Sequence, residues 1–214
     1  MNKFVETQNF GLNSLTTVFI ITIIFTSLTA YYLIKQNNKI INDRKGESVN
    51  FILFCYYGFG GVGMIIYGYY KDSLALMVNG CAGFAALLVV ISLLRFKEIT
   101  LKEKILGFGI IILLPLIIYI KQKDLLYFLS GLTFNLVLGL QIWEIWDNET
   151  SGELHPGQII INLLAAIFWT IYAFLTDLWP LEISGTISVC LWLGFLGSYI
   201  KFKPKTVNIS SQSS

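Results

Sequence analysis

IYGYYKD (Ile66–Asp72) recurs 105 residues further on as IYAFLTD (Ile171–Asp177), and this recurrence decides how the chain is read. At the same offset Leu33 meets Leu138, Gln36 meets Gln141, Ile40 meets Ile145, and Asn79-Gly80 meets Ser184-Gly185. Two Leu/Ile-rich helices share apolar identities by chance. Polar residues and glycines held at one ungapped offset instead mark an internal duplication. The loops Lys45-Gly46-Glu47-Ser48 and Thr150-Ser151-Gly152-Glu153 are also alike.

Both copies of the motif close long apolar runs. The chain has 214 residues, 55% of them hydrophobic and 13% charged, with a mean hydropathy of +0.69. Soluble domains carry about 25% charged residues, and here the charges gather in short clusters between runs long enough to cross a bilayer, which takes about 20 residues. The expected spans are Leu15–Ile34, Phe51–Tyr70, Ser73–Leu94, Ile105–Ile120, Leu125–Ile145, Ile159–Leu175 and Pro180–Ile200. The expected fold is therefore an all-α membrane protein of seven transmembrane helices. Residues 1–100 form a first three-helix repeat, 101–122 a linker helix, 123–201 the second repeat and 202–214 a flexible cytosolic tail.

The linker has a physical purpose. Three crossings are an odd number, so a direct join would insert the second copy upside down; one further crossing restores its orientation and makes a parallel repeat. Lysines and arginines set the direction. Lys3, Lys71, Lys121 and Lys123 fall on one side, and the other eleven of the fifteen, from Lys35 through Lys205, fall on the opposite side. The side rich in basic residues is cytosolic, which puts the N-terminus outside the cytosol and the C-terminus inside, in a plasma or bacterial inner membrane. The first run lacks a cleavage site and reads as a retained span.

Other chemistries find little support. Cys55, Cys81 and Cys190 lie inside apolar runs without CxxC spacing and read as small buried hydrophobes. His155 stands alone, so no metal or cofactor is expected. A net charge of +2 with lysines at helix ends offers no nucleic-acid surface. Gly58, Gly60 and Gly63 satisfy GxGxxG, but inside an apolar helix with no preceding strand they suit close helix packing rather than a nucleotide. Two sequons, Asn148-Glu149-Thr150 and Asn208-Ile209-Ser210, fall on the expected cytosolic side, where they are not glycosylated. HExxH, Ser/His/Asp sets and paired intramembrane carboxylates are absent, which argues against an enzyme.

A 3+1+3 layout with a Gln near the cytosolic end of each unit's first helix resembles the PQ-loop/MtN3 family, which includes the SWEET sugar transporters. The likeness spans roughly residues 15–201 and is clearest in LQIWEIWDNETSGELHP (Leu140–Pro156), followed by Asn162, Trp169, Tyr172 and Asp177. In the first unit it rests on Tyr67-Gly68, Asp72 and Asn79-Gly80. The motif prolines are missing, since Lys35 precedes Gln36 and Leu140 precedes Gln141. Ser184 stands where the family has a second pocket asparagine. The resemblance implies transport of a small polar solute, sugar-like first, by alternating access between the two units. A non-transporting receptor or scaffold of the same fold and a PnuC-like vitamin carrier are the alternatives. The partners expected are that solute, the bilayer and a second copy of the chain in a homo-oligomer.

Candidate site residues come from depth in the bilayer, from the repeat offset and from what the resemblance implies. Asn79 lies about 10 Å below the outer edge of its span, at 1.5 Å per residue, where an amide must find partners or suffer desolvation. With Ser184, Trp169, Asn162 and Asn135 it forms the expected solute-binding set. Asn162 and Trp169, seven apart, share a helix face. Gln36 and Gln141 are the expected gating pair, and Glu144 and Glu182, the acids nearest the hydrocarbon, are the candidates for proton coupling.

Overall fold

The computed structural model describes residues 4–8, 10–46, 49–147, 149, 151 and 156–202, with the side chains of 113–118 left aside. His155, both sequon asparagines, Lys3 and the tail beyond Phe202 lie outside the described residues, as do parts of the two similar loops. The described residues form helices without strand. They are α1 (Val5–Gln8), α2 (Ser14–Asp43), α3 (Phe51–Tyr70), α4 (Leu74–Cys81), α5 (Gly83–Phe96), α6 (Leu101–Tyr119), α7 (Lys123–Asp147), α8 (Pro156–Leu175) and α9 (Trp179–Lys201).

Local chemistry sets these boundaries. The side chains of Asn13, Asn50 and Ser73 accept from the backbone N–H of Thr16, Leu53 and Leu76, each capping the helix that follows. Pro180 stands in the first turn of α9, where a missing N–H costs nothing. Arg44, Asp72, Glu149 and Asp177 all have φ near +50° (50°, 49°, 50° and 51°). They form two pairs at the repeat offset, Arg44 with Glu149 and Asp72 with Asp177, so the chain leaves corresponding helices through a left-handed residue whether or not the side chain is kept.

Six segments are long and apolar enough to cross a membrane: Ser14–Asp43, Phe51–Tyr70, Leu74–Phe96, Lys123–Asp147, Pro156–Leu175 and Trp179–Lys201. The chain is thus an all-α, multi-pass membrane protein. α6 is a further helix of 19 residues, with Lys102, Glu103 and Lys104 in its opening turn. The outer surface is that of a protein in lipid: on α5, Phe84, Leu88, Ile91 and Leu94 project outward at helical spacing.

The packing has a recurring order. α5 packs on both α2 and α3, and α9 packs on both α7 and α8, so the third long helix touches the first and second in each set. Between the sets, α2 meets α8 and α3 meets α7. First helix against second, in both directions, is the reciprocal pattern of a twofold relation. α6 packs chiefly on α3, where Phe108 meets the rings of Phe51 and Phe59 and Gly107 lies against Phe51 and Cys55.

The glycine cluster of α3 lets backbones touch. A Cβ on Gly61 would lie 2.6 Å from the Gly80 carbonyl oxygen, and one on Gly83 2.9 Å from that of Gly58. At this crossing the third span breaks into α4 and α5 around Ala82. Small residues that allow such approach are the usual means of joining helices in lipid, where no hydrophobic force drives association.

Candidate functional site

Between the two sets of helices lies a cavity of about 230 Å³. Its walls are drawn from α2, α3, α4, α5, α7, α8 and α9. They carry the repeat with them: Thr29 and Phe134, Tyr57 and Asn162, Met64 and Trp169, Asn79 and Ser184, and Gly83 and Ser188 all line the cavity, each pair 105 residues apart. A space bounded by equivalent positions of both copies sits where an axis relating them would run.

Four of the five expected solute-binding residues meet here, namely Asn79, Ser184, Trp169 and Asn162. Asn79 Oδ1 accepts from Thr26 Oγ1 at 2.9 Å, and its Nδ2 lies 3.0 Å from Met64 Sδ, a weak acceptor. Asn162 Oδ1 is 3.4 Å from Thr29 Oγ1, while its Nδ2, on a residue only 5% exposed, has no partner. An orphaned buried amide N–H costs roughly 1–3 kcal/mol, so a solute acceptor beside it would recover that penalty. Trp169 holds its ring edge-on to Tyr172, with centroids 5.3 Å apart.

Ser184 lines the cavity with its hydroxyl already donated to the Pro180 carbonyl at 2.6 Å. Asn135 stands off the cavity wall. Its Nδ2 donates to the Ser184 carbonyl at 2.9 Å, and its Oδ1 accepts from Ser188 Oγ at 2.6 Å. Its interior amide clamps α7 to α9 through both of its polar atoms.

The lining holds no Asp, Glu, Lys, Arg or His among the described residues. Six aromatic rings, those of Tyr56, Tyr57, Tyr127, Phe134, Trp169 and Trp192, supply much of the wall. Sequence reasoning missed Thr29, Tyr57, Tyr127 and Phe134. The repeat offset carried a signal for one of them, because Tyr57 is the mate of Asn162.

The gating and coupling candidates lie elsewhere. Gln36 and Gln141 are 1% and 2% exposed and stand off the cavity. Neither amide atom of Gln36 has a partner, and Gln141 reaches Glu144 only at 3.5 Å. Glu144 accepts from Asn50 Nδ2 at 2.9 Å, a bond between α7 and the start of α3. Glu182, in the first turn of α9, is half-buried and away from the lining.

A solved structure superposes on nearly the whole molecule. That structure, titled "The 3.7 A resolution structure of a eukaryotic SWEET transporter", aligns with a TM-score of 0.64 over 88% of this chain and 96% of its own, at 12% identity. The fold is that of a SWEET transporter. At that identity the likeness concerns backbone architecture alone, and the chemistry of the cavity is read from this chain's own side chains. No family profile matches the sequence, and no curated protein does. Among the described residues, no group of three His, Cys, Asp or Glu could hold a metal ion.

Proposed function

We propose that this chain is a divergent PQ-loop/SWEET-like transporter that moves one small neutral polar solute by alternating access. Residues 1–100 and 123–201 act as the two rocking units, and the helix within 101–122 is the seventh crossing that sets them parallel. The observation that carries the reading is the uncharged cavity between them, bounded by residues at the repeat offset.

The wall chemistry supports a neutral solute. A charged one would lose its hydration without meeting an opposite charge, at a cost of several kcal/mol. Asn79 and Asn162 offer both donor and acceptor atoms to hydroxyls, and Trp169 offers a flat face for a ring. A cavity smaller than the ~300–1,000 Å³ of typical ligand pockets suits a single small molecule. A sugar meets these demands. The many aromatic rings also favour a flat heterocycle of the vitamin type as the second reading.

The ends of the bundle supply the gates. Gln36, Gln141 and the Asn50–Glu144 bond lie at the end where α2 and α7 finish, which the lysine distribution makes cytosolic. A Glu144 held by Asn50 fits a bond broken on opening better than a coupled proton site, so facilitated diffusion is the simpler mechanism. The test is uptake by proteoliposomes of radiolabelled glucose, sucrose, neutral and charged amino acids, and nicotinamide, an uncharged flat heterocycle. Saturable uptake of a neutral member, abolished in the Asn79→Leu/Asn162→Leu double variant, is expected. Absence of flux for every class overturns the transport reading, and preferential uptake of a charged amino acid overturns the argument from the walls.

A further inference from the structure

One buried carboxylate takes no part in the cavity. Glu6, on α1, is 1% exposed. Its oxygens accept from Ser73 Oγ at 2.9 Å, from the backbone N–H of Leu74 and Ala75 at 3.0 Å each, and from the Tyr172 hydroxyl. The preceding residue adds a backbone bond, Val5 N–H to the Asp72 carbonyl at 2.9 Å. Ser73, Leu74 and Ala75 open the third span of the first set, and Tyr172 belongs to the second set. One carboxylate thus joins the two.

Tyr67, the mate of Tyr172 at the repeat offset, is held the same way. Both tyrosines are fully buried. The Tyr67 hydroxyl donates to Asp124 Oδ1 at 2.7 Å, and Lys71 stands 2.8 Å from the same carboxylate. This bond also crosses between the sets, from the last turn of α3 to the first turn of α7. Below the two pairs lies an apolar layer that takes in Tyr67 and Tyr172 together with Met64, Tyr127, Ala165, Trp169 and Leu181, all five of which also line the cavity. The paired bonds sit on the roof of the cavity, at the end opposite Asn50 and Glu144.

We propose that Glu6 is a gating residue: the segment Phe4–Gln8 is a strap that holds this end of the cavity shut through Tyr172 and the start of α4, and Tyr67–Asp124 is its counterpart in the other half. The roof opens only when Glu6 leaves its donors, which are charge-assisted and therefore about twice as strong as neutral bonds. Nothing in the repeat would have shown this, because α1 precedes the duplicated segment. The strap's purpose rests on the transport reading; its geometry does not.

The test reads access to the cavity rather than flux. Cysteine is introduced at Ala165, and the rate of its modification by a membrane-impermeant cationic methanethiosulfonate is measured in intact cells and in inverted vesicles, with the parent chain's background subtracted. Glu6→Gln, Tyr172→Phe and Asp124→Asn should each raise the rate roughly tenfold on one and the same face, the shift expected from losing one charge-assisted bond in a closed–open equilibrium. Tyr172→Phe removes a single hydroxyl and keeps the test valid if Glu6→Gln does not fold. Rates unchanged on both faces, or raised equally on both, overturn the proposal. A blank uptake panel with a raised rate removes transport and keeps the strap, whereas saturable flux with an unchanged rate does the reverse.

Discussion

Gly80 and Gly185 occupy equivalent positions, yet alanine at the two sites should behave differently. A Cβ on Gly80 would lie 2.5 Å from the Gly61 carbonyl oxygen, 2.6 Å from Ile65 Cγ1 and 2.9 Å from the Ile65 nitrogen. Two of the three obstacles are backbone. Ordinary contact needs about 3.5–4.0 Å, so α3 and α4 must part by roughly 1 Å, a strain of about 1–3 kcal/mol. A Cβ on Gly185 meets Thr170 Oγ1 at 2.7 Å but keeps 3.5 Å or more from the next atoms. That hydroxyl is the end of a rotatable side chain, and moving it costs at most its bond to the Ala166 carbonyl, roughly 1 kcal/mol. Gly197 has nothing within 4 Å, so alanine there should be neutral or stabilising by up to ~1 kcal/mol through helix propensity. Apparent melting temperatures of the three purified variants, followed by size-exclusion fluorescence after heating, should rank Gly80→Ala below Gly185→Ala below Gly197→Ala. Because Asn79 adjoins the displaced backbone, Gly80→Ala should also weaken solute uptake. A Gly80→Ala variant as stable as Gly197→Ala would refute the close approach of α3 and α4.

Three further predictions concern the cavity and the strap. Trp169→Ala removes a ring from the wall and should lower uptake at least tenfold, while Met64→Ala, its mate, should cost less because a flexible thioether offers no flat face; half-saturation concentrations in proteoliposomes decide this. Asn162→Leu should abolish uptake yet raise the melting temperature, since it removes a buried N–H without a partner; a fall in melting temperature would show that this N–H is already satisfied. For Glu6, burial pushes the carboxyl up, but the Tyr172 hydroxyl and the Ala75 and Leu74 amides outweigh it and leave the group below its ordinary 4.5. A folded value below the unfolded one contributes stability above pH 4.5 and loses it as pH falls through the folded value. The melting-temperature gap between wild type and Glu6→Gln should therefore close in acid, and a gap independent of pH between 3 and 7 would count against the buried carboxylate.

Long apolar runs made the all-α, multi-pass architecture readable, and the repeat offset marked backbone demands that outlast side chains. Asp72 and Asp177 keep one left-handed turn, and Gly80 and Gly185 keep one close contact, even though neighbouring residues have drifted. Depth singled out Asn79, the repeat offset Ser184, and the family resemblance with a shared helix face Asn162 and Trp169, and the structure brings all four to one cavity. Depth could not place Asn135, because an amide at the same level can turn toward a neighbouring helix as readily as toward a cavity, and α9 offers it two partners. Glu6 was out of reach for another reason. A lone acid in a short polar segment has no periodicity, and its partners, Ser73 and Tyr172, are remote in sequence.

The seating of α6 has a mechanical corollary. Because that helix leans on α3 through Gly107 and Phe108 and touches α7 only lightly, it would travel as a passenger of the N-terminal half under the proposed rocking. The covalent joint that would then flex is no more than Ile120, Lys121 and Gln122, between the end of α6 and the start of α7. A molecule assembled from two near-equal copies would in that case swing about a pivot displaced to one side, with a heavier partner and a lighter one.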